Sequence, residues 1–544
     1  MKKLVIGIDL GTTYSCASVL SEAGTIDISP NSEGDRTTPS VMLIDSKDNI
    51  TIGNNAKTLI GPLIKTDISE AEEQLASGFY KSDDESKAVV EIAKRFIGTD
   101  HEYKLTNHDF DPTFVSGSVL KKIKQDVEAS FGREIDSAVI TVPANFNNSQ
   151  RQETMNAAEM AGLHVDDIIN EPTAAALAYS MSTEIDGIYA VYDFGGGTFD
   201  CSIVETKGEE VKILGFAGVK TLGGRDIDKK LLDLVYDKYR KETSKILNPK
   251  QFSIVDSERL KKNLSALDEV EVFIDGVDIV ISRQEFNEVI STLISKSLIT
   301  FDNAIEDANI EVDNIMDVIL VGGSSRIPLI AERLKDKIGK KPKIFGNPDE
   351  TVAKGAAIYA ALKNKTSLNI NQKAAIAGLD VKEITNVSLG QSLNDPDLDK
   401  LFNQIIIKKG SRIPAKRTEK SMINTYQMLN SIRENINPQY KITITEGLSD
   451  TEVVDDVEKV WDKSVAAPKT YLDIDTLEEN FNEYYDAAEI ETTYKIDKNQ
   501  VFEVLVKHVK TNTILINEKI SMLDGSLNTN SSSSTEDLDD FEIK

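Results

Sequence analysis

The chain has 544 residues, of which 40% are hydrophobic and 28% charged, and its 62 basic and 90 acidic side chains give a formal net charge of −28. This length predicts two to four domains of roughly 100–200 residues each. The acidity argues against nucleic acids and anionic membranes as partners, so any phosphate site must be built locally.

Two features of the sequence bear on the cellular compartment of the protein. The 2 cysteines are too few for a disulfide framework and favour a reducing compartment. Residues 1–8 resemble the start of a secretory signal, but Asp9 interrupts the apolar run, and no stretch approaches the ~18 apolar residues of a membrane span. We therefore expect a soluble, cytoplasmic, monomeric protein that binds neither nucleic acid nor membrane.

Two glycine-rich turns, each joining an apolar strand to a second strand, form an internal near-repeat. Residues 4–20 read LVIGIDLGTTYSCASVL, and residues 189–204 read YAVYDFGGGTFDCSIV. Asp9 corresponds to Asp193 and, with a one-residue gap, Cys16 corresponds to Cys201. The repeat predicts a duplicated α/β architecture with a cleft between its halves.

The chemistry of these turns indicates a phosphate site. Consecutive backbone amides can form an anion-binding concavity, and an aspartate at a strand end can hold a hydrated divalent cation. The simpler alternative, tight turns with solvated aspartates, explains one such hairpin better than two. A third glycine turn follows the apolar strand at 318–321, and neither GxxxxGK[ST] nor GxGxxG occurs, which excludes the P-loop and Rossmann motifs.

The chain changes character after about residue 385. Short segments rich in Val, Ile, Thr and Tyr predict a mostly β domain over residues 385–523. These segments are 404–408, 441–445, 492–496, 501–506 and 513–516. Residues 524–544 are polar, acidic and serine-rich, which predicts a disordered tail.

Several segments together resemble the 70-kDa heat-shock (Hsp70) chaperone family. They are IGIDLGTTYSC (6–16), VPANFNNSQRQ (142–152), INEPTAAALAY (169–179), YDFGGGTFD (192–200) and VGGSSRIP (321–328). The resemblance implies an actin-like, duplicated ribonuclease H-like ATPase domain over residues 1–366. It also implies an interdomain linker over 367–384 and a β-sandwich peptide-binding-like domain over 385–523.

The resemblance assigns roles to individual residues. Lys94 would be the catalytic lysine beside the attacking water, while Asp9, Glu171 and Asp193 would hold a hydrated Mg²⁺ ion. The two phosphate turns would be Gly11, Thr12, Thr13 and Tyr14, and Gly195, Gly196, Gly197 and Thr198. The nucleoside and the rest of the pocket would involve Gly223, Gly224, Glu258, Lys261, Lys262, Ser265, Gly322, Gly323, Ser324, Arg326 and Asp349.

The sequence also departs from the family. Residues 68–87 form an acidic insertion, for which we predict a solvated helix-loop excursion; a surface for a partner or exchange factor is the alternative. Lys262 replaces an arginine that would stack on the base. Residues 391–400 are acidic where the family has a small apolar loop that contacts the client. We expect that the helical lid of the family is absent after residue 523.

The resemblance implies an ATP-dependent chaperone that acts in protein folding and the stress response. Its cofactors would be ATP or ADP with Mg²⁺, and K⁺ as a further ion. Its partners would be unfolded or peptide clients, a J-domain co-chaperone and a nucleotide exchange factor. The alternative is an ATP-binding regulatory or scaffold protein that uses the same nucleotide switch without general chaperone activity.

Overall fold

The chain divides into two units in the computed structural model. The first comprises residues 1–146, 153–381 and 532–544, and the second comprises 147–152 and 382–531. The structure describes residues 4–105, 108–135, 137–181, 186–207, 210–344, 346–382, 385, 388–395, 400–422, 439–447, 458–466, 489–497, 502–509, 511–520, 538 and 543.

The first unit has two lobes, and the first lobe begins with the first glycine-rich hairpin. Its strands are β1 Val5–Asp9, β2 Tyr14–Leu20, β3 Ile26–Ser29, β4 Thr38–Pro39, β5 Met42–Asp45, β6 Ile50–Ile52, β7 Phe79–Lys81, β8 Lys87–Val90, β9 Tyr103–Leu105, β10 His108–Phe110, β11 Ser137–Val142 and β12 Val165–Asn170. Its helices are α1 Asn54–Lys57, α2 Ile60–Leu63, α3 Ile68–Ser77, α4 Pro112–Phe131, α5 Asn148–Met160 and α6 Glu171–Ser180, with a 3₁₀ turn at Ala93–Arg95. The first turn of α5, residues 148–152, is assigned to the second unit.

The second lobe begins with the second hairpin. Its strands are β13 Gly187–Phe194, β14 Phe199–Lys207, β15 Glu210–Val219, β16 Glu269–Ile274, β17 Val277–Ser282, β18 Ile315–Val321, β19 Lys343–Ile344 and β20 Asp380–Lys382. The helices that follow are α7 Gly224–Thr243, α8 Ile254–Ala266, α9 Arg283–Asp307, α10 Pro328–Ile338, α11 Thr351–Lys363 and α12 Ile370–Ala375. Three 3₁₀ turns lie at Val312–Asn314, Gly323–Arg326 and Lys365–Ser367.

The central sheets of the two lobes repeat one topology, so the predicted duplication is confirmed. The first sheet has the order β12-β11-β1-β2-β3, and the second has the order β19-β18-β13-β14-β15-β20. In each, the hairpin's first strand runs parallel to one neighbour and antiparallel to its hairpin partner. The cysteine equivalence is wrong, however, because Asp9 pairs with Cys16 whereas Asp193 pairs with Asp200.

Local sequence explains where the long helices begin and end. At α4, the Asp111 side chain accepts from the Phe114 amide, Pro112 occupies the first turn, and Gly132 ends the helix at φ 63°. At α9, Ser282 and Glu285 form a reciprocal capping box. Helix α11 crosses α6 so closely that a Cβ on Gly355 would lie 1.7 Å from the Ala174 carbonyl oxygen.

Residues 68–87 are part of the fold of the first unit: the predicted helix is present, but one side of it is buried rather than solvated. They form α3 and β7, and β7 pairs with β8 at the edge of the four-stranded sheet β6-β5-β8-β7. Ala71, Leu75 and Tyr80 are buried in a hydrophobic cluster that includes Leu231 and Val235 of the second lobe. Ala71 and Leu75, at helical spacing on α3, and Tyr80 on β7 thus hold this acidic segment against the hydrophobic core.

Two segments near the unit boundary also pack on the first unit. Ile376 and Leu379, inside the predicted linker, are buried against Leu20 and Ile358. The predicted tail 524–544 lies mostly outside the described residues. Its two described residues, Leu538 and Ile543, are buried at 0% and 9% exposure, which differs from the expected disorder at those positions.

The second unit consists of two four-stranded antiparallel sheets, ordered β22-β21-β24-β25 and β23-β26-β27-β28. Its strands are β21 Ser388–Asp395, β22 Lys400–Ile407, β23 Ala415–Met422, β24 Gln439–Gly447, β25 Glu458–Ala466, β26 Glu489–Ile496, β27 Phe502–His508 and β28 Thr513–Ile520. Side chains alternate between buried and half-buried along β26 and β27, as in a sheet with one covered face. The β-rich prediction is confirmed.

Within the acidic segment 391–400, residues 396–399 lie outside the described part of the chain. Residues 391–395 belong to β21, and β22 begins at Lys400. The Gln391 side chain is buried and accepts a 2.5 Å hydrogen bond from the Tyr494 hydroxyl of the other sheet. Among the described residues, no helix combines the length and apolar character needed to cross a bilayer.

Candidate nucleotide site

A cavity of about 440 Å³ lies between the two lobes of the first unit. It falls within the usual size range of small-molecule sites. All the site residues predicted from the sequence line this cavity except Gly197 and Gly223, which lie behind its wall. The lining also includes residues outside the predicted set, among them Lys57, Glu91, Arg225 and Asp228.

The two predicted phosphate turns face each other. A Cβ on Gly196 would lie 1.7 Å from Thr13 Oγ1, and a Cβ on Gly197 would lie 2.2 Å from Thr12 Cγ2. Only glycine therefore lets the second turn approach the first this closely. Thr13 Oγ1 is buried and has no hydrogen-bond partner among the described residues, so a hydroxyl is left for a ligand.

The second turn is held by the start of α7 and by the third glycine turn. The Gly195 carbonyl accepts from the Gly224 amide at 2.9 Å and from Ser324 Oγ at 2.9 Å. The Gly196 carbonyl accepts from the Arg225 amide at 2.8 Å. These bonds explain why Gly223 is needed, since a Cβ there would lie 2.5 Å from the Gly196 oxygen.

A buried ion pair lies at the inner end of the cavity. Lys94 Nζ is 2.6 Å from Glu171 Oε1, and the two side chains are 5% and 9% exposed. Lys94 comes from the 3₁₀ turn after β8, while Glu171 is the first residue of α6, directly after β12. A lysine and a glutamate distant in sequence are thus brought together by the first lobe's sheet.

Carboxylates at the strand ends surround this pair. Burial, together with the charge of Glu171, raises the pKa of Asp9 to about 7 and that of Asp200 to about 8, and raises the pKa of Asp193 well above its usual value. Asp9 Oδ1 also accepts a 3.1 Å hydrogen bond from Thr141. The local excess of buried negative charge creates a site where a cation is favoured.

The carboxylates fit a hydrated divalent ion better than a directly ligated one. Among the described residues, no group of three or more His, Cys, Asp or Glu side chains lies close enough to hold a metal directly. Asp9, Glu171 and Asp193 nevertheless line one cavity and offer the oxygen donors that Mg²⁺ prefers. Because Mg²⁺ usually keeps several of its waters, these residues can hold it through the water shell.

Charged residues from both lobes meet in another part of the cavity wall. Glu258 of α8 pairs with Lys57 of α1 at 2.5 Å and with Lys262 at 2.7 Å. Tyr14 donates to Glu258 at 3.0 Å, and the Lys57 and Lys262 ammonium groups lie 4.6 and 5.2 Å from the centre of its ring. Burial opposes ionisation of Glu258, but the lysine charges outweigh it and lower the pKa of this carboxyl.

The remaining predicted residues complete the wall of the second lobe. Lys261 Nζ is 2.8 Å from Asp228 Oδ1 and donates to the Gly224 carbonyl at 3.2 Å. Ser265 bonds back to the Lys261 carbonyl within α8. Arg326 pairs with Asp349 at 3.0 Å, and a Cβ on Gly323 would lie 2.7 Å from the Asp349 carboxylate. Gly322, at φ 78°, begins the third turn.

Sequence reasoning missed the cations that join the lobes. Arg225 pairs with Glu91 at 2.5 Å and donates to the Tyr80 hydroxyl, which in turn donates to Glu91 at 2.6 Å. Arg225 directly follows the predicted Gly223-Gly224 pair, so its position was a signal that could have been used. Lys57 carries no such local signal, because its partner lies 201 positions away.

Two related lobes that bring paired glycine turns and buried carboxylates to one cavity define a nucleotide-binding protein of the actin-like class. A family model described as Hsp70 protein matches residues 5–455. The chain therefore belongs to the Hsp70 family, and the resemblance in its motifs is confirmed. Membership carries a chaperone-type, ATP-binding function and ATPase activity as general properties of the family.

Proposed function

We propose that this protein hydrolyses ATP in the cavity of the first unit and uses the cycle to control the binding of unfolded or extended polypeptides. The observation that carries this proposal is the contact of the two glycine turns beside the buried Lys94–Glu171 pair. Amide donors, hydroxyls and one placed cation suit γ-phosphate hydrolysis, which depends on positioning and charge neutralisation more than on covalent catalysis.

The chain's own residues divide the task. Mg²⁺, when bound, supplies positive charge to the phosphates, and Asp9, Glu171 and Asp193 would hold it through water. Lys94 is fixed by Glu171, and the only hydrogen bond from its Nζ among the described residues goes to that carboxylate. An ammonium group carries three N–H donors, so Lys94 retains donors to orient a water molecule and to stabilise charge on phosphate. Thr13 and Thr198 would bind phosphate oxygens.

The second unit is the proposed client-binding part. Its two antiparallel four-stranded sheets each have edge strands. Phe402 on the edge strand β22 and Ile514 on the edge strand β28 are 37% and 58% exposed, which offers apolar contacts to an extended peptide. A J-domain co-chaperone and a nucleotide exchange factor are the further partners that this function requires.

We also propose that the protein acts in the cytoplasm. Both cysteines are free and buried, and neither forms a disulfide. Free thiols suit a reducing compartment, where a disulfide would confer no stability. The competing function is an ATP-binding regulatory scaffold, in which nucleotide sets a conformation that another protein recognises and no unfolded client is bound.

The deciding experiment uses the full chain and the Lys94→Ala variant in single-turnover ATP hydrolysis. We expect hydrolysis to fall about 10²–10³-fold while ATP binding is retained, because one electrostatic donor is lost. Lys229→Ala, on the exposed face of α7, is the matched control and should hydrolyse ATP normally. Equal hydrolysis by the Lys94→Ala variant and the control would reject the catalytic assignment.

A second measurement separates the chaperone from the scaffold. A fluorescent apolar peptide should dissociate from the full chain faster with ATP than with ADP. After ATP is added, fast peptide dissociation should persist longer in the Lys94→Ala variant than in the unmodified chain, because the variant hydrolyses ATP more slowly. Absence of peptide binding in both nucleotide states would favour the scaffold.

A further inference from the structure

Two residues near the C-terminus, Leu538 and Ile543, lie in the core of the first unit. Leu538 is fully buried, and Ile543 is 9% exposed. Both belong to the hydrophobic cluster of the first lobe, together with Phe114 and Val119 of α4. A polar, acidic sequence therefore delivers two apolar side chains into a core that is otherwise built from residues hundreds of positions earlier.

Leu538 occupies a specific position on α4. A Cβ built on Gly117 would lie 3.1 Å from Leu538 Cδ1 and 3.4 Å from Met160 Cβ. The absence of a side chain at Gly117 thus makes room for Leu538 between helices α4 and α5. The Leu538 carbonyl also accepts a 2.6 Å hydrogen bond from Lys121 Nζ, one turn further along α4.

A backbone contact positions Ile543. It forms a parallel bridge with Ile50 of β6, which is an edge strand of the sheet β6-β5-β8-β7. Addition of an extended segment to a sheet edge is a common mode of peptide recognition, because the edge presents unpaired backbone groups. The two anchors are five positions apart in the sequence.

Charge favours the same pairing. The tail carries acidic residues on both sides of Leu538, namely Glu536, Asp537, Asp539, Asp540 and Glu542. On α4, Lys121 donates to the Leu538 carbonyl, whereas Lys122 pairs with Asp126 at 2.6 Å and Lys124 donates to the Gly162 carbonyl at 2.8 Å. In a chain with a net charge of −28, the charges of Lys121 and Lys124 favour an acidic segment at this part of α4.

We propose that the surface formed by α4 and the edge of β6, called the groove here, is an interaction surface for an acidic segment with two apolar anchors, and that Leu538 and Ile543 of the same chain are the anchors that occupy it in cis. The groove lies outside the nucleotide cavity, and none of Gly117, Lys121 or Ile50 lines that cavity. The proposal therefore does not depend on ATP hydrolysis. It assigns to the tail the role of an intramolecular ligand.

The test adds a fluorescent peptide of residues 532–544 to full-length chains and follows its anisotropy. The double variant Leu538→Asp/Ile543→Asp has its own tail displaced, so its groove should accept the peptide. The unmodified chain should bind at least 10-fold more weakly, because its groove is filled. Leu527→Asp is the matched control, because it replaces an apolar residue of the tail outside the docking segment. This variant should bind the peptide as weakly as the unmodified chain.

Two further arms keep the test decisive. A peptide carrying Leu538→Asp should lose at least 10-fold in affinity for the double variant, and hydrogen exchange in residues 112–131 should rise in that variant. Lack of peptide binding by the double variant, or equal binding by all chains, would overturn the proposal. Concentration-dependent dimers that disappear in the double variant would overturn the cis assignment, since the tail would then occupy the groove of a second copy.

Discussion

Lys57 Nζ of the first lobe lies 2.5 Å from Glu258 Oε2 of the second lobe, and each side chain is only 12% exposed. The pair joins α1 to α8, and Tyr14 and Lys262 share the same carboxylate. All four side chains line the cavity, so this contact links the two lobes at its wall.

Removal of this contact should accelerate nucleotide release. For Lys57→Met we expect the dissociation rate of a fluorescent ADP analogue to rise about tenfold, which corresponds to about 1.4 kcal/mol for a charged hydrogen bond. Stopped-flow displacement gives the rate. Lys229→Met, whose partners are 3.7–3.8 Å away at the surface, is the control and should leave it unchanged.

The same contact has a defined pH dependence. The lysine charges overcome the effect of burial and lower the pKa of Glu258 from its ordinary value of 4.5. The contribution of the pair to lobe closure is therefore fully present above about pH 4.5 and is lost as the pH falls through the lowered pKa. Lys57→Met should accelerate release of the ADP analogue by the same factor at pH 5 and at pH 7.5, because Glu258 is ionised at both. If the acceleration disappeared at pH 5, Glu258 would not be ionised there.

A methyl group on either central glycine of the second turn should separate the two phosphate turns. Gly196→Ala meets Thr13 Oγ1, and Gly197→Ala meets Thr12 Cγ2, both well inside contact distance. We expect ATP affinity to fall more than 10-fold in each variant, measured by titration calorimetry. Gly61→Ala is the control, because its Cβ would lie 3.3 Å from Ser253 Oγ, away from the turns, and it should bind ATP normally.

The Tyr80–Glu91–Arg225 network should contribute strongly to the stability of the first unit. Burial works against the Arg225 charge, but Glu91 and Tyr80 raise its pKa, so the guanidinium stays ionised. Glu91→Met would leave this charge buried and unpaired, which should lower the free energy of unfolding by about 3–5 kcal/mol. Tyr80→Phe removes two hydrogen bonds, at about 1 kcal/mol each.

Scanning calorimetry would resolve this order in the transition of the first unit. Arg225→Met combined with Glu91→Met should recover much of the stability lost by Glu91→Met alone, because no buried charge remains. A double variant as unstable as the sum of its single variants would show that the network acts through packing rather than charge.

Both thiols should be unreactive in the folded protein. Burial, assisted by nearby carboxylates, raises the pKa of Cys16 and of Cys201, and their side chains are 3% and 0% exposed. Since the thiolate is the reactive form, a thiol reagent should label the native chain at pH 8 far more slowly than the unfolded chain, which should give 2 equivalents. Rapid native labelling at either position would show that its strand opens.

The motif-bearing part of the site could be predicted from the sequence because its residues lie in short contiguous segments. A strand-end aspartate followed by a glycine-rich turn identifies both Asp9 and Asp193, and the duplicated sheets place the two turns opposite each other. Equivalence at single-residue level failed for Cys201, because strand register is set by the turn and not by residue identity.

The tertiary contacts of the site could not be predicted in the same way. Lys57 and Glu258 have no common local pattern, and their ion pair exists only because two helices from different lobes meet. The burial of Ala71, Leu75 and Tyr80 within the segment 68–87 could not be predicted for a related reason. The segment is acidic overall, and these three side chains lie in a cluster that includes residues of the second lobe. Composition describes a surface well, but a few apolar anchors decide whether a segment is part of a core.

The docking of Leu538 and Ile543 has a quantitative consequence for competitors. A covalently attached ligand meets its groove at an effective concentration on the order of millimolar when the connection is short and flexible. A free protein segment of equal intrinsic affinity would have to reach a similar concentration to occupy half of the grooves. The tail thus sets an affinity threshold, and only partners that exceed it by a wide margin can use α4 as a binding surface.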